Sequence, residues 1–90
     1  MNRILVILTI HTDKLPENFQ EIIKHEREVI ALWKEAGFLD QLFLRPAKNG
    51  AVLIFKNIDE TKVNELMPTL PLYQLMKSIE VLPLIKDATF

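Results

Sequence analysis

Glu26 is a carboxylic acid on the most apolar face of the longest helical pattern in the chain. A carboxyl group withdrawn from water must be paired, hydrogen-bonded or protonated, because an isolated buried charge is strongly unfavourable. Burial also raises a carboxyl pKa towards the range that suits proton transfer. Glu26 is therefore a candidate proton shuttle. The alternatives are a structural carboxyl group held by a backbone amide or an arginine, and a side chain that turns outward at the edge of the apolar face. On a period of about 3.6 residues, it lies among Phe19, Ile22, Ile23, Ile30 and Trp33.

Five further residues are candidates for a site. His11 ends the first predicted strand, where an imidazole can act as acid, base or anion donor. Gln41 and Arg45 share a face of the second predicted strand. If that face is the one that the helices cover, Gln41 can hydrogen-bond a substrate carbonyl and Arg45 can bind a carboxylate. If it is the other face, both residues belong to a subunit interface. Tyr73 either donates to a ligand or keeps its hydroxyl in water, and Trp33 belongs to the core or to a substrate-binding wall.

Composition excludes several classes of site. The chain has no cysteine, so disulfides, thiol nucleophiles and zinc-thiolate centres are excluded. Two glycines cannot build a glycine-rich phosphate loop, and the formal net charge of −1 gives no electrostatic footprint for nucleic acid. His25 and Glu28 have i, i+3 spacing, but two ligands without convergent partners do not make a metal site. We expect no metal, no cofactor and no nucleic-acid partner.

The amino-terminal residues superficially resemble a targeting signal. Met1-Asn2-Arg3 precedes an apolar run, Ile4 to Ile10, but no small-residue cleavage site follows. The run is also far shorter than the roughly 20 residues of a membrane span. The sequence therefore predicts a cytoplasmic protein without membrane contact.

The predicted elements alternate as strand, helix, strand, strand, helix and strand. Pro16 suits a first helical turn, Gly37 ends that helix, and Asp59 caps the second helix, which Pro68 limits. Residues 46–50 carry the turn residues of a hairpin. The predicted spans are 4–10, 16–36, 38–45, 51–56, 59–67 and 78–84.

This order predicts one α+β domain over residues 1–90 with the ferredoxin-like βαββαβ arrangement, a four-stranded antiparallel sheet with both helices on one face. The first and third strands are nevertheless apolar at consecutive positions, so their other face must also be covered. A second copy is the simplest cover, which predicts a homodimer with its sheets packed face to face. A small-molecule pocket is expected between the long helix and the sheet, with Glu26 pointing into it.

Particular segments resemble a known family. Leu70-Pro71-Leu72-Tyr73 is followed by Met76 and Ile79-Glu80-Val81, and Leu15-Pro16 precedes a helix that contains Glu26-Arg27-Glu28 and ends before Gly37. In these segments the chain resembles the muconolactone delta-isomerase-like family. The resemblance implies a dimeric α+β barrel, in some members assembled into rings of dimers, without metal or organic cofactor.

The resemblance also implies a reaction, the movement of a proton and a double bond within a small unsaturated lactone that carries a carboxylate. Glu26 falls on the family's helix glutamate, and one carboxyl group can remove and return the proton. The stretch 39–43 supplies no cation for an anionic substrate. Two alternatives stay open: a cofactor-free monooxygenase of the same fold, and a non-catalytic ligand-binding or oligomerisation module.

Overall fold

The computed structural model describes residues 2–90, which follow the predicted order of elements. Two short 3-10 turns, Met67–Thr69 and Pro71–Leu75, connect the second helix to the last strand. The elements are β1 (Asn2–Ile10), α1 (Phe19–Glu35), β2 (Leu39–Leu44), β3 (Gly50–Phe55), α2 (Glu60–Leu66) and β4 (Met76–Ile85).

The four strands form one antiparallel sheet in the order β2-β3-β1-β4. This order confirms the predicted ferredoxin-like α+β fold. The last strand begins at Met76, two residues before the predicted start, because Met76 pairs with Ile10 beyond a register shift in β1. Both central strands, β1 and β3, are hydrogen-bonded on two sides.

The core lies between the helices and one face of the sheet. Alternate β1 residues such as Val6 are buried there, as are Leu53 and Phe55 of β3. Trp33 of α1 stacks at a tilt on Phe55, with ring centroids 5.6 Å apart. Val63 brings α2 onto the same core. Burial of these apolar side chains is the main force that holds α1 and α2 on the sheet.

The opposite sheet face, here called the open face, is not covered by either helix of the part of the chain that the structure describes. Register pairs place Leu5 beside Ile54 and Leu82, and Ile7 beside Val52. These side chains are half-buried or exposed, and Leu82 keeps 46% of its surface accessible. The apolar residues of the open face are Leu5, Ile7, Phe43, Val52, Ile54, Leu82 and Leu84.

Helix α1 ends as predicted but begins later. Gly37 has a φ of 84°, in the left-handed region. Its N–H donates to the Lys34 carbonyl, and the N–H of Phe38 donates to the Trp33 carbonyl. These two hydrogen bonds form a Schellman motif. At the other end, Phe19 N–H donates to the Pro16 carbonyl in a turn, and Asn18 makes no side-chain cap. Pro16 therefore precedes the helix by three residues, instead of beginning it.

The irregular alternation in the second predicted strand has a structural cause. The register between β2 and β3 shifts between Leu39 and Gln41, so Asp40 lies at a bulge. Its carboxylate accepts a hydrogen bond from Nε of Arg3 at 3.0 Å. Beyond the bulge, Gln41 pairs with Ile54 and projects onto the open face.

A search of the helices within residues 2–90 finds none with the length and apolar character that a membrane span requires.

Candidate functional site

A cavity of about 270 Å³ lies between α1 and the sheet. Its wall is largely aliphatic, with one carboxyl group and three basic residues contributing polar atoms. Helix α1 supplies Phe19, Ile23, Glu26, Arg27 and Ile30; strands and turns supply Leu8, Ile10, Leu42, Leu44, Arg45, Lys48, Gly50, Ala51, Leu53, Leu72 and Met76.

Glu26 is the only charged residue that is buried within residues 2–90, with 5% of its surface accessible. Its Oε1 accepts a hydrogen bond from the backbone N–H of Leu72 at 3.1 Å. Leu72 is the second residue of the 3-10 turn that Pro71 begins, and amides in a first helical turn have no partner within the helix. The turn therefore offers a free donor to the carboxyl group.

The surroundings of Glu26 change its acidity. Burial raises the pKa of the Glu26 carboxyl above its ordinary value, and the Leu72 hydrogen bond opposes this effect only in part. A carboxylate with a raised pKa is a stronger base than an exposed one. The site therefore places a basic, hydrogen-bonded carboxyl group against an apolar cavity.

Of the three basic residues of the cavity wall, Arg45 has a side-chain hydrogen-bond partner. Arg45 donates from a guanidinium nitrogen to Oγ1 of Thr9 at 2.9 Å. Thr9 alternates along β1 with Leu8 and Ile10, which line the cavity, so its side chain lies on the open face. Arg27 and Lys48 form no salt bridge within residues 2–90.

The structure brings two of the six predicted site residues to the cavity, Glu26 and Arg45. His11 is exposed, and its backbone N–H donates to the Leu75 carbonyl at 2.9 Å. Tyr73 is 43% accessible and does not line the cavity. Trp33 lies in the core, and Gln41 lies on the open face.

Two cavity residues, Arg27 and Lys48, were not identified from the sequence. Arg27 follows Glu26 directly and stands four residues after Ile23, so helical spacing places it at the edge of the apolar face. Lys48 had no comparable signal, because it lies in a turn whose backbone path determines where the side chain goes.

The surface pair of His25 and Glu28 does not extend into a larger cluster. The ring Nδ1 of His25 lies 3.3 Å from a carboxylate oxygen of Glu28, and both side chains are exposed. Within residues 2–90 no group of three or more His, Cys, Asp or Glu side chains is arranged to hold a metal ion.

The family profile described as muconolactone delta-isomerase matches residues 4–88. The chain belongs to the muconolactone delta-isomerase family. Among solved structures, a muconolactone isomerase superposes with a TM-score of 0.79 at 19% identity, over 98% of this chain and 93% of that chain. A search of curated proteins by sequence finds no match.

Two further solved structures have a fold similar to that of this chain. A 5-chloro-2-hydroxyhydroquinone dehydrochlorinase from Burkholderia phenoliruptrix, in complex with 2,5-dihydroxybenzoquinone, gives a TM-score of 0.64 at 14% identity, over 97% of this chain and 96% of that chain. An antibiotic biosynthesis monooxygenase gives a TM-score of 0.66 at 14% identity, over 97% of this chain and 99% of that chain. At these identities the likeness shows the fold alone.

Proposed function

We propose that this protein is an isomerase that moves a proton within a small carbonyl or lactone compound, with Glu26 as the group that carries the proton. The observation that supports the proposal is a buried carboxyl group with a raised pKa, held by a backbone amide at the wall of an apolar cavity. Membership of the muconolactone delta-isomerase family supports the choice of reaction.

The chemistry needs one group that acts twice. The Glu26 carboxylate removes a proton next to the substrate carbonyl, and the electrons of the broken C–H bond form an enolate. The protonated carboxyl then returns the proton to another carbon of the conjugated system, so the double bond moves and the composition is unchanged. The Leu72 amide holds Oε1, which leaves Oε2 free for the transfer.

The apolar wall supports both steps. Apolar surroundings strengthen electrostatic interactions with the buried Glu26 carboxyl group, and a nearby cationic side chain can stabilise the enolate. Arg27 is such a side chain, since it lines the cavity next to Glu26 in sequence. Its guanidinium group would offset the negative charge that develops on the carbonyl oxygen.

The test uses muconolactone in deuterated buffer, with proton NMR to follow double-bond migration and deuterium uptake. Glu26→Gln should lower the rate by about 100-fold or more, because glutamine cannot accept the proton. Glu28→Gln is the matched control, an exposed acid on the same helix, and should keep the wild-type rate. A wild-type rate of double-bond migration in Glu26→Gln would refute the proposal.

The same preparation tests the alternatives. Oxygen consumption in the presence of an activated aromatic compound, without migration of the lactone double bond, would replace the isomerase by a cofactor-free monooxygenase. Binding without any reaction would leave a ligand-binding module, in which Glu26 has a structural role.

We also propose that a second copy of the chain covers the open face. An uncovered face with this many apolar side chains resembles a subunit interface more than a monomer surface. Leu5, Ile7, Val52 and Ile54 form its centre. The rings of dimers implied by the family resemblance stay a prediction.

A further inference from the structure

Within residues 2–90, the buried part of the cavity wall carries one acidic group and no basic group. Glu26 is the only charged residue that is buried there, and the wall around it is largely aliphatic. The lysine and arginine side chains of the same residues are all half-buried or exposed. An ionised ligand that entered this space would lose its water without gaining a buried counter-ion, which is strongly unfavourable.

The three basic residues of the wall are directed away from the buried carboxyl group. Arg27 and Lys48 are exposed, so water screens their charges, and ion pairs at exposed positions contribute little. The Arg45 guanidinium donates to Thr9 on the open face at 2.9 Å. Positive charge therefore lies at the mouth of the cavity, meaning its solvent-facing opening, and on the open face.

The proposed proton transfer keeps the negative charge of the cavity constant. With an uncharged substrate that charge is on Glu26 before the transfer and on the enolate after it, and Arg27 at the mouth can balance it in both states. A carboxylate on the substrate would add a second negative charge. Both charges would then lie in one cavity of about 270 Å³ with largely apolar walls, where their repulsion is weakly screened.

We propose that the ligand of this cavity is an uncharged, mostly aliphatic carbonyl compound, and that Glu26 excludes anionic compounds of the same size. The Leu72 amide holds Oε1 of Glu26, so Oε2 is the atom that faces the ligand. Side chains such as Ile23, Ile30 and Leu53 contact its aliphatic part. The inference rests on the proposed function for the location of the site, and it narrows the substrate to esters, lactones or ketones without a carboxylate.

The experiment measures binding by calorimetry at neutral pH with two unreactive probes. One is the saturated γ-lactone that carries an acetic acid side chain, and the other is its methyl ester. The wild type should bind the ester about tenfold more tightly than the acid, and Glu26→Gln should reduce this preference about fivefold because the buried charge is gone. Glu28→Gln removes an exposed negative charge from the same helix and should keep the wild-type preference.

A second measurement uses the wild type alone and does not depend on the folding of a variant. The sulfonate analogue of the acid stays anionic throughout the range in which carboxyl groups titrate. Its affinity should rise as the pH falls, because protonation of Glu26 removes the repulsion, while the affinity for the ester should change less. Arg27, Arg45 and Lys48, the other ionisable residues of the cavity wall, keep their charge in this range.

The proposal is overturned if the wild type binds the acid as tightly as the ester, if Glu26→Gln keeps the full preference, if the sulfonate affinity does not rise in acid, or if neither lactone probe binds. Because the probes do not react, these results are independent of turnover. A protein that prefers the ester through Glu26 but moves no double bond would refute the proposed reaction and leave this inference standing. Migration in muconolactone together with a preference for the acid would do the reverse.

Discussion

Leu72 donates its backbone N–H to Oε1 of Glu26 at 3.1 Å and so joins two residues that stand 46 positions apart in the sequence. The contact attaches the 3-10 turn begun by Pro71 to α1. The segment that gives the chain its family resemblance therefore also sets the orientation of the carboxyl group. The shape of the cavity and the acidity of Glu26 depend on the same contact.

Stability should depend on pH through Glu26. Its pKa is raised in the folded state, so between the unfolded and folded pKa values the folded chain binds more protons than the unfolded chain. The stabilisation from the protonated carboxyl is complete below the unfolded pKa and is lost as pH rises through the folded pKa. Glu26→Gln cannot titrate, yet its oxygen can still accept from Leu72.

Urea unfolding at several pH values measures this effect. The free energy of unfolding of Glu26→Gln minus that of the wild type should be small in acid and should increase as pH approaches neutrality. Glu28→Gln, which changes an exposed carboxylate, should show no such trend. A difference that stays constant with pH would contradict the raised pKa.

The Leu72 amide should report the ionisation of Glu26 directly. A hydrogen bond to a carboxylate is stronger than one to a protonated carboxyl group, so the amide proton should move downfield when Glu26 ionises. In nitrogen-proton NMR spectra its titration midpoint should lie above the ordinary pKa of glutamate, because burial raises the pKa of Glu26. In Glu26→Gln the Leu72 signal should not titrate. A wild-type Leu72 signal that is equally insensitive to pH would contradict the hydrogen bond between Leu72 and Glu26.

Most of the fold could be predicted because its signals are local. Gly37 ends α1 through a conformation that glycine favours, and Asp59 caps α2 by accepting from the Lys62 amide at 2.8 Å. The start of α1 was misplaced because Pro16 also suits a turn before a helix, and only tertiary contacts decide between the two.

The site was less predictable for a related reason. Helical periodicity predicts the position of Glu26, because it places a side chain on a helix face without knowledge of the rest of the fold. Lys48 lines the cavity because its turn lies against the end of β1, where Ile10 N–H donates to the Asn49 carbonyl. Arg45 also lines the cavity, but its guanidinium is hydrogen-bonded to Thr9 on the open face. Both outcomes depend on register and turn geometry, which residue types alone do not specify.

Gly50 should be the less replaceable of the two glycines. Gly50→Ala places a Cβ against the Leu8 carbonyl, and neither backbone can move without loss of β1–β3 pairing. Gly37→Ala meets no atom within 4 Å and loses only the left-handed preference, about 1–2 kcal/mol. Chemical denaturation should show a larger decrease in the free energy of unfolding for Gly50→Ala than for Gly37→Ala. Equal decreases would contradict the close approach of Gly50 to the Leu8 carbonyl.

The open face should control self-association. Ile54→Lys places a charge at the centre of the apolar face and should convert a dimer to a monomer, as measured by sedimentation across a concentration range. Leu32→Lys is the control, since Leu32 is an apolar α1 residue that is 63% accessible and lies away from that face. A wild-type protein that is monomeric at all concentrations would refute the proposal that a second copy covers the open face.

The position of β1 has a consequence for how the chain reaches its fold. β1 is synthesised before the other three strands of the sheet, yet it pairs with β3 and β4, which follow much later in the sequence. Until β4 has been made, one edge of an apolar central strand has no partner, and such edges promote aggregation. Completion of the sheet therefore waits for the end of the described chain, and contacts this distant in sequence slow the folding reaction.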